Sequence, residues 1–151
     1  MQRLSQQEPL GLLVAVARRS IKQAVGHLVR GHGLSPQQFW FLVAIAEREG
    51  RPLVALGAWL RVDPPTASRV VATLVRRGLV RVEDDLEDRR HACLCLTARG
   101  RGLAVRVRPL AERVRAAVGA GLSAGEARAL RSGLRKVIEN MDRFKTDRVD
   151  R

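Results

Sequence analysis

The chain has little of several residue types, and each shortage narrows what it can be. Two cysteines among 151 residues cannot form the disulfide framework of a small secreted domain. No apolar run approaches the roughly 20 residues that a membrane-spanning helix needs. The N-terminal stretch, MQRLSQQEPLG, lacks the basic segment and apolar core of a signal peptide. We therefore expect a cytoplasmic protein with no membrane segment.

Catalytic and metal-binding motifs are also missing. The sequence has no Ser/His/Asp ordering of the kind that hydrolases use, and no glycine-rich loop that would cradle a phosphate. Its three histidines, His27, His32 and His91, lack the spacing of metal ligands. We predict a protein that is not an enzyme, has no catalytic residue and needs no cofactor or metal.

Negative charge is scarce. Fifteen acidic residues stand against 28 basic ones, which gives a net charge of +13 and an isoelectric point near 11.6. Such an excess indicates a polyanionic partner, most often a nucleic acid. GC-rich coding DNA would also favour arginine, and the charge is spread along the chain with no basic tail. Charge alone therefore favours a nucleic-acid partner without deciding it.

What is present is a series of helical patterns. Apolar residues at helical spacing predict a helix over Leu10–Val29 that ends at Gly31-His32-Gly33. Ser35-Pro36-Gln37-Gln38 predicts a new helix that begins with a capping box. Residues 53–60 and 64–77 predict two short helices with a tight connection, which is the helix-turn-helix pattern. The predicted inward faces are Phe39, Leu42, Val43 and Ala46 before the motif, and Ala67, Val70, Val71, Leu74 and Val75 in its second helix.

Beyond Gly78 the apolar period changes from 3.6 to 2. Residues 79–82 and 92–96 predict two strands that are joined by a charged turn at 84–90. Two long helices follow, the first capped by Thr97, bent near Pro109 and ending near Val118, and the second opened by a capping box at Ser123 and Glu126. The predicted fold is mainly α with a small two-stranded β wing.

The helix at 64–77 is predicted to present a polar outer face. A helix with such a face fits the major groove of DNA, and free backbone N–H groups at its start would favour a phosphate. Arg69 is the strongest candidate for reading a base, because a guanidinium can bond guanine twice. An ordinary solvated helix is the alternative, and the tight turn before this helix favours DNA. The predicted DNA-binding residues are Pro65, Thr66, Ser68, Arg69, Thr73 and Arg76.

The charged turn between the strands offers a second contact. Arginines at a projecting tip can enter a minor groove, so we predict Arg89 and Arg90 as DNA contacts. Asp88 precedes Arg90 by two residues and is predicted to hold its guanidinium through a charge-assisted bond. The other carboxylates, Asp84, Asp85 and Glu87, are better explained as turn-forming residues. A plain charged hairpin loop is the alternative.

Three stretches resemble the MarR family of winged-helix transcriptional regulators. LSPQQFWFLVAI resembles the second helix of that family, DPPTASRVVATLVRRGLV resembles its recognition helix and next strand, and DRRHACLCLTARG is similar to its wing signature. The resemblance covers nearly the whole chain. Arg61 stands where a glycine is common and either caps the turn or reaches a phosphate, and Gly57 replaces a usual alanine. The signature positions are Asp88, Arg90, Leu96, Thr97 and Gly100.

The resemblance implies one domain over residues 1–151, with a winged helix-turn-helix core at 34–102 flanked by dimerisation helices at 8–32 and 103–147. It implies a homodimer on double-stranded DNA with an inverted-repeat operator, the helix at 64–77 in a major groove and Arg90 in the neighbouring minor groove. It also implies a repressor that a small-molecule effector, often aromatic, releases. The apolar stripes of the two long terminal helices agree with dimerisation.

Other interpretations concern the cysteines and tryptophans. His91, Cys93 and Cys95 share a strand face, on which alternate residues lie about 6.8 Å apart. Two of them could share a metal ion, but all three could bind one zinc only if the strand broke, and a Cys93–Cys95 disulfide would be strained. A thiol-based redox-sensing regulator stays an alternative, as does a basic module for RNA or another acidic partner. Trp40 and Trp59 either line an effector pocket or pack in the core.

Overall fold

The computed structural model describes residues 8–84 and 92–146, and its elements follow the predicted order. The six helices are α1 Leu10–Val29, α2 Pro36–Glu47, α3 Leu53–Trp59, α4 Pro64–Arg76, α5 Ala98–Gly119 and α6 Ala124–Thr146. The predicted helices are all found among the described residues, and α2, α4, α5 and α6 begin at the caps that the sequence indicates. The three strands are β1 Arg51–Pro52, β2 Val80–Asp84 and β3 Ala92–Leu96.

Residues 8–84 and 92–146 divide into two compact units whose boundary lies within α5, between Val114 and Arg115. The first unit holds the hydrophobic core. α2 lies at the centre of this core and contacts α1, α3, α4 and β3. The second unit contains the end of α5 and α6. No helix in either described segment combines the length and apolar character needed to span a bilayer.

The helix ends carry the predicted caps. Gly33, at the end of the helical turn after α1, has φ 63°, in the left-handed region that glycine adopts without strain. Ser35 and Gln38 form a reciprocal capping box at the start of α2. Ser123 and Glu126 form another at the start of α6, where Glu126 N–H donates to Ser123 Oγ at 3.2 Å.

Two inward faces differ from the prediction. α2 buries six residues that lie around most of the helix rather than along one stripe, because other elements pack on several of its sides. Ala46, at the end of α2, was predicted to face inward but is exposed. In α4, Val75 is 38% exposed, whereas the other four residues that were predicted to face inward are buried. The buried residues of α2 are Phe39, Phe41, Leu42, Val43, Ala44 and Ile45, and those of α4 are Ala67, Val70, Val71 and Leu74.

Both wing strands are confirmed, except that β2 continues through Asp84, which the sequence placed in the turn, and a third short strand joins them. β2 pairs antiparallel with β3 from Val80 opposite Leu96 to Asp84 opposite Ala92. β1 pairs with the other edge of β3, so the strand order is β1-β3-β2. Two residues are too few to show a period of 2, which is why the sequence does not indicate β1. As the central strand, β3 is buried from Cys93 to Leu96, on both faces rather than on one.

A tight junction joins the wing to α5. Thr97 Oγ1 accepts the backbone N–H of Gly100 at 3.0 Å and donates to the carbonyl of Gly78 at 2.6 Å. The N–H of Thr97 donates to the carbonyl of Leu79 at 3.1 Å. The predicted cap is therefore confirmed, and it also fixes the end of α4 and the start of β2. α5 continues through Pro109 as a helix.

Candidate nucleic-acid interface

α4 presents its polar face to solvent because its opposite face is buried in the core. Ala67 and Leu74 are 2% and 0% exposed. Arg69 and Arg76, by contrast, are exposed, and Thr66 and Thr73 lie between the two faces. Pro65 and Ser68 are exposed as well. Four of the six predicted residues of this helix are thus exposed and the two threonines are partly exposed, while the opposite face of the helix is fixed in the core.

The arginines of this face are oriented by threonines one turn earlier. Arg69 Nη2 donates to Thr66 Oγ1 at 3.1 Å, and Arg76 Nη2 donates to Thr73 Oγ1 at the same distance. Thr73 Oγ1 in turn donates to the Arg69 carbonyl at 3.0 Å. We call these four side chains the Thr–Arg ladder. The bonds limit the rotamers of both guanidiniums, so less conformational entropy is lost when either one binds a partner.

The start of α4 differs from the prediction of a backbone phosphate site. Pro64 and Pro65 have no N–H, and the N–H of Thr66 donates to Asp63 Oδ1 at 2.9 Å. The next N–H, of Ala67, donates to the Asp63 carbonyl. The bond from Thr66 also holds the pKa of Asp63 below its usual value, so a carboxylate occupies this position. The first turn therefore offers no free N–H to a phosphate, and that expectation is wrong.

Arg77, which the sequence did not single out, ties α4 to the rest of the first unit. Its Nη1 donates to the Gly33 carbonyl at 2.8 Å and to Gln38 Oε1 at 3.2 Å. Gln38 is the residue that closes the capping box of α2. One guanidinium thus joins the C-terminal end of α4 to the segment between α1 and α2, and it positions the exposed face of α4.

The predicted wing contacts Asp88, Arg89 and Arg90 lie outside the described residues. The described strands pair from Val80 opposite Leu96 as far as Asp84 opposite Ala92. The roles of Asp88, Arg89 and Arg90 as DNA contacts stay predictions.

Both cysteines are buried, and Cys95 belongs to a small polar cluster on the wing. Its Sγ donates to Glu83 Oε2 at 3.2 Å, and Arg81 Nε lies 2.6 Å from Glu83 Oε1. Burial raises the pKa of the Cys95 thiol, and the Glu83 carboxylate raises it further. Because the thiolate is the form that oxidants attack, these surroundings disfavour redox sensing at Cys95. Within residues 8–84 and 92–146, no three His, Cys, Asp or Glu side chains group closely enough to hold a metal.

The two tryptophans have different surroundings. Trp40 is partly buried against the core and meets Phe39 edge to face, with ring centroids 4.8 Å apart. Trp59 is 44% exposed, and the Arg48 guanidinium lies 4.7 Å from the centroid of its ring. Trp40 is therefore mainly a packing residue, whereas Trp59 offers an aromatic surface with a cation beside it.

A cleft that the sequence did not indicate lies between α2, β3 and α5. It has a volume of about 450 Å³, and its walls include Val43, Leu96 and Arg108. On one side Glu49 accepts the Leu96 N–H at 3.0 Å and the Arg101 guanidinium at 2.8 Å. Partial burial opposes the charge of Glu49, but these two bonds outweigh it and lower its pKa. The cleft is thus apolar with charged edges.

Comparisons with known proteins find a sequence likeness over the helix-turn-helix and β2. A model described as the MarR family matches residues 32–91. An uncharacterized HTH-type transcriptional regulator of Staphylococcus aureus is 29% identical over 97 residues, which cover 64% of this chain and 66% of that protein. The match therefore spans just under two thirds of the relative's own length.

Solved structures extend the likeness to most of the fold. A MarR family regulator from Listeria monocytogenes in complex with 26mer DNA has a TM-score of 0.75 and 25% identity, over 89% of this chain and 90% of that one. Bordetella bronchiseptica BpsR, whose DNA binding is regulated by 6-hydroxynicotinic acid, has a TM-score of 0.72 and 28% identity, over 86% of this chain and 98% of that one. The similar proteins are transcriptional regulators rather than enzymes.

Proposed function

We propose that this chain, which belongs to the MarR family of DNA-binding transcriptional regulators, acts as a homodimeric cytoplasmic repressor on an inverted-repeat operator. The exposed Thr–Arg ladder of α4, held on a buried base, is the observation that carries this proposal. In this proposal, residues 1–151 form one domain. Residues 34–102 bind DNA, and residues 8–32 and 103–147 form the dimer interface.

α4 would lie in the major groove with its polar face toward the bases. Arg69 would bond a guanine through both arms of its fork, while Thr66 keeps the guanidinium extended from the helix. Arg76, two turns further along, would reach the base edges or a phosphate at the other end of the face. The small side chains of Pro65 and Ser68 would let the helix approach the groove closely. The proposed contacts of this helix are Pro65, Thr66, Ser68, Arg69, Thr73 and Arg76.

The wing would contact the neighbouring minor groove. Arg90 would enter the groove with Asp88 as its orienting partner, and Arg89 would contact a phosphate. The rigid root of the wing supports this role, because β3 is the central strand of the sheet and Thr97 fixes its end to α4.

Arg90→Ala should weaken specific and non-specific DNA binding together, by about tenfold, because a minor-groove or phosphate contact does not depend on one base pair. Asp88→Ala should cost less than Arg90→Ala but more than Asp84→Ala, since only Asp88 is proposed to orient the guanidinium. Titration of a labelled duplex with each variant measures these affinities. Unchanged affinity in Arg90→Ala would disprove the wing contact, and equal effects of the two aspartate variants would remove the role of Asp88.

The homodimer is supported by the apolar surface of the terminal helices. No residue of the 23-residue α6 is buried, and five large apolar side chains on one of its faces are 38–55% exposed. A second copy supplies an identical face, which is the self-complementary arrangement of a two-fold dimer. Faces of this kind are covered in stable proteins. The exposed apolar residues are Leu130, Leu134, Ile138, Met141 and Phe144 in α6, and Leu10, Leu12, Leu13 and Val16 in α1.

Sedimentation equilibrium tests the dimer directly. The wild-type chain should sediment as a dimer at micromolar concentration, and Leu134→Lys should raise the dimer dissociation constant about 30-fold or more, because a charge would enter an apolar interface. Ser132→Lys is the matched control, since it adds the same charge to an exposed position of α6 and should leave the dimer intact. A wild-type chain that stays monomeric at micromolar concentration would contradict the proposal.

The effector would be a small aromatic molecule. Regulation of BpsR by 6-hydroxynicotinic acid supports this class of ligand. Trp59 with the Arg48 guanidinium above its ring is suited to stack an aromatic ring and attract an anionic group, and Trp40 would shape the packing behind it. An effector that binds more tightly to a conformation in which the two α4 helices no longer fit their half-sites would release the operator.

A basic module for RNA is the second candidate function, and the net charge of +13 is the observation that favours it. The two functions differ in what they bind at equal salt. A repressor prefers one duplex sequence over others. A charge-driven module binds all polyanions with similar affinity, and its affinity for each of them falls as the salt concentration rises.

A further inference from the structure

Arg61 adopts a backbone conformation that is unusual for its residue type. Its φ is 55°, and it is the only residue other than glycine with a positive φ in the described part of the chain. The left-handed region crowds the Cβ of an L-residue against the backbone, so glycine is the residue that fits it best. A side chain retained at such a position points to a role for that side chain.

The turn itself does not need an arginine. Backbone bonds hold it, with the N–H of Arg61 donating to the Ala58 carbonyl at 3.1 Å and the N–H of Val62 to the Gly57 carbonyl at 2.9 Å. The Arg61 side chain is exposed, and it makes no hydrogen bond or ion pair with any other residue of 8–84 and 92–146. In contrast, Arg69, Arg76 and Arg77 are each bonded within the fold.

Its position places this charge beside the proposed DNA-binding helix. Arg61 lies two residues before Asp63, the residue that caps α4. At that end the helix has no free backbone N–H to offer a phosphate, because of Pro64, Pro65 and the bond from Thr66 to Asp63. A DNA backbone that passes this end of the helix needs a cation from another source, and Arg61 is an exposed one with no partner within residues 8–84 and 92–146.

We propose that Arg61 contacts a DNA backbone phosphate next to the major-groove site and that this contact maintains an arginine where the fold favours glycine. The inference rests on the proposed DNA-binding function. A phosphate contact positions the protein without reading a base, so Arg61 should strengthen the binding of every duplex rather than select one.

Arg61→Gly separates this role from a structural one, because the two effects have opposite signs. The variant should keep or raise the thermal unfolding midpoint of the wild-type chain, while its affinity for both specific and non-specific duplexes falls about tenfold. The slope of log affinity against log salt should fall by about 0.9 for each lost phosphate contact, or about 1.8 for a dimer. Arg61→Asn, which also tolerates this backbone, should behave similarly, and Arg61→Lys should keep most of the affinity and slope.

A folded Arg61→Gly variant with wild-type affinity and salt slope would overturn the inference. So would an Arg61→Lys variant as weak as Arg61→Asn, because the role requires only a positive charge that reaches a phosphate. Failure of the wild-type chain to bind any duplex would remove the proposed function itself, and it is distinguished by testing the wild-type chain first.

Discussion

Gly100→Ala should destabilise the protein by about 1–3 kcal/mol, a large effect for a single methyl group. A Cβ at Gly100 would overlap the carbonyl oxygen of Leu79 and lie 2.8 Å from its carbonyl carbon. Both groups belong to backbone that the Thr97 junction holds, so neither can move aside as a flexible side chain would. The start of α5 can thus pack against the Leu79 backbone only because residue 100 is a glycine.

Thermal or urea unfolding followed by circular dichroism measures this effect. Gly102→Ala is the matched control, because it lies two residues further along α5 and a Cβ there would meet no atom within 4 Å. Alanine favours a helix over glycine by up to about 1 kcal/mol, so this control should be slightly more stable than the wild-type chain. A Gly100→Ala variant as stable as the wild-type chain would show that α5 and Leu79 do not pack as described.

Much of the fold follows from local signals in the sequence. Ser35, Asp63 and Thr97 cap their helices as residues of their type do, and Gly33 and Gly78 end helical segments with the φ that glycine permits. Caps depend on neighbours within three or four residues, so a sequence pattern contains all the information needed to place them. The exposed polar face of α4 was predictable for the same reason, because buried residues recur along α4 with the helical period.

Features that depend on distant neighbours were not predictable. The burial of α2 on several sides comes from elements that pack around it, and its own sequence favoured a single stripe. Arg77 bonds the Gly33 carbonyl across 44 residues of chain, and Glu49 bonds the Leu96 N–H across 47. No local pattern links such pairs. The absent N–H groups of α4 are different, because Pro64 and Pro65 are visible in the sequence and neither residue has an N–H to donate.

Arg69→Ala should weaken specific DNA binding about 30-fold or more while non-specific binding falls only a few-fold. A bidentate arginine–guanine contact contributes about 1–3 kcal/mol of discrimination, and a dimer makes it once in each half-site. Arg69→Lys is the sharper control, because it keeps the charge but loses the planar fork. It should retain non-specific affinity and lose most of the specificity. Equal losses of specific and non-specific binding in both variants would reduce Arg69 to a phosphate contact.

Thr66→Val probes the Thr66 hydroxyl, which belongs to the Thr–Arg ladder and is itself a proposed DNA contact, while Arg69 stays in place. It removes the hydroxyl that accepts the Arg69 guanidinium while it keeps the shape of the side chain. Specific affinity should fall less than in Arg69→Ala, because the arginine remains and loses only its preferred orientation. Competition of a labelled specific duplex with unlabelled random DNA measures both affinities in one experiment.

The central claim is that two copies of the α4 face read DNA sequence, and selection of duplexes from a random pool tests it most directly. The wild-type chain should enrich an inverted repeat whose half-sites lie about 34–36 Å apart, one helical turn of DNA. Arg69→Ala, selected in parallel, should keep the repeat and its spacing but lose its preference at one base pair in each half-site. A wild-type chain that enriches no sequence, or only an unrepeated one, would contradict the claim.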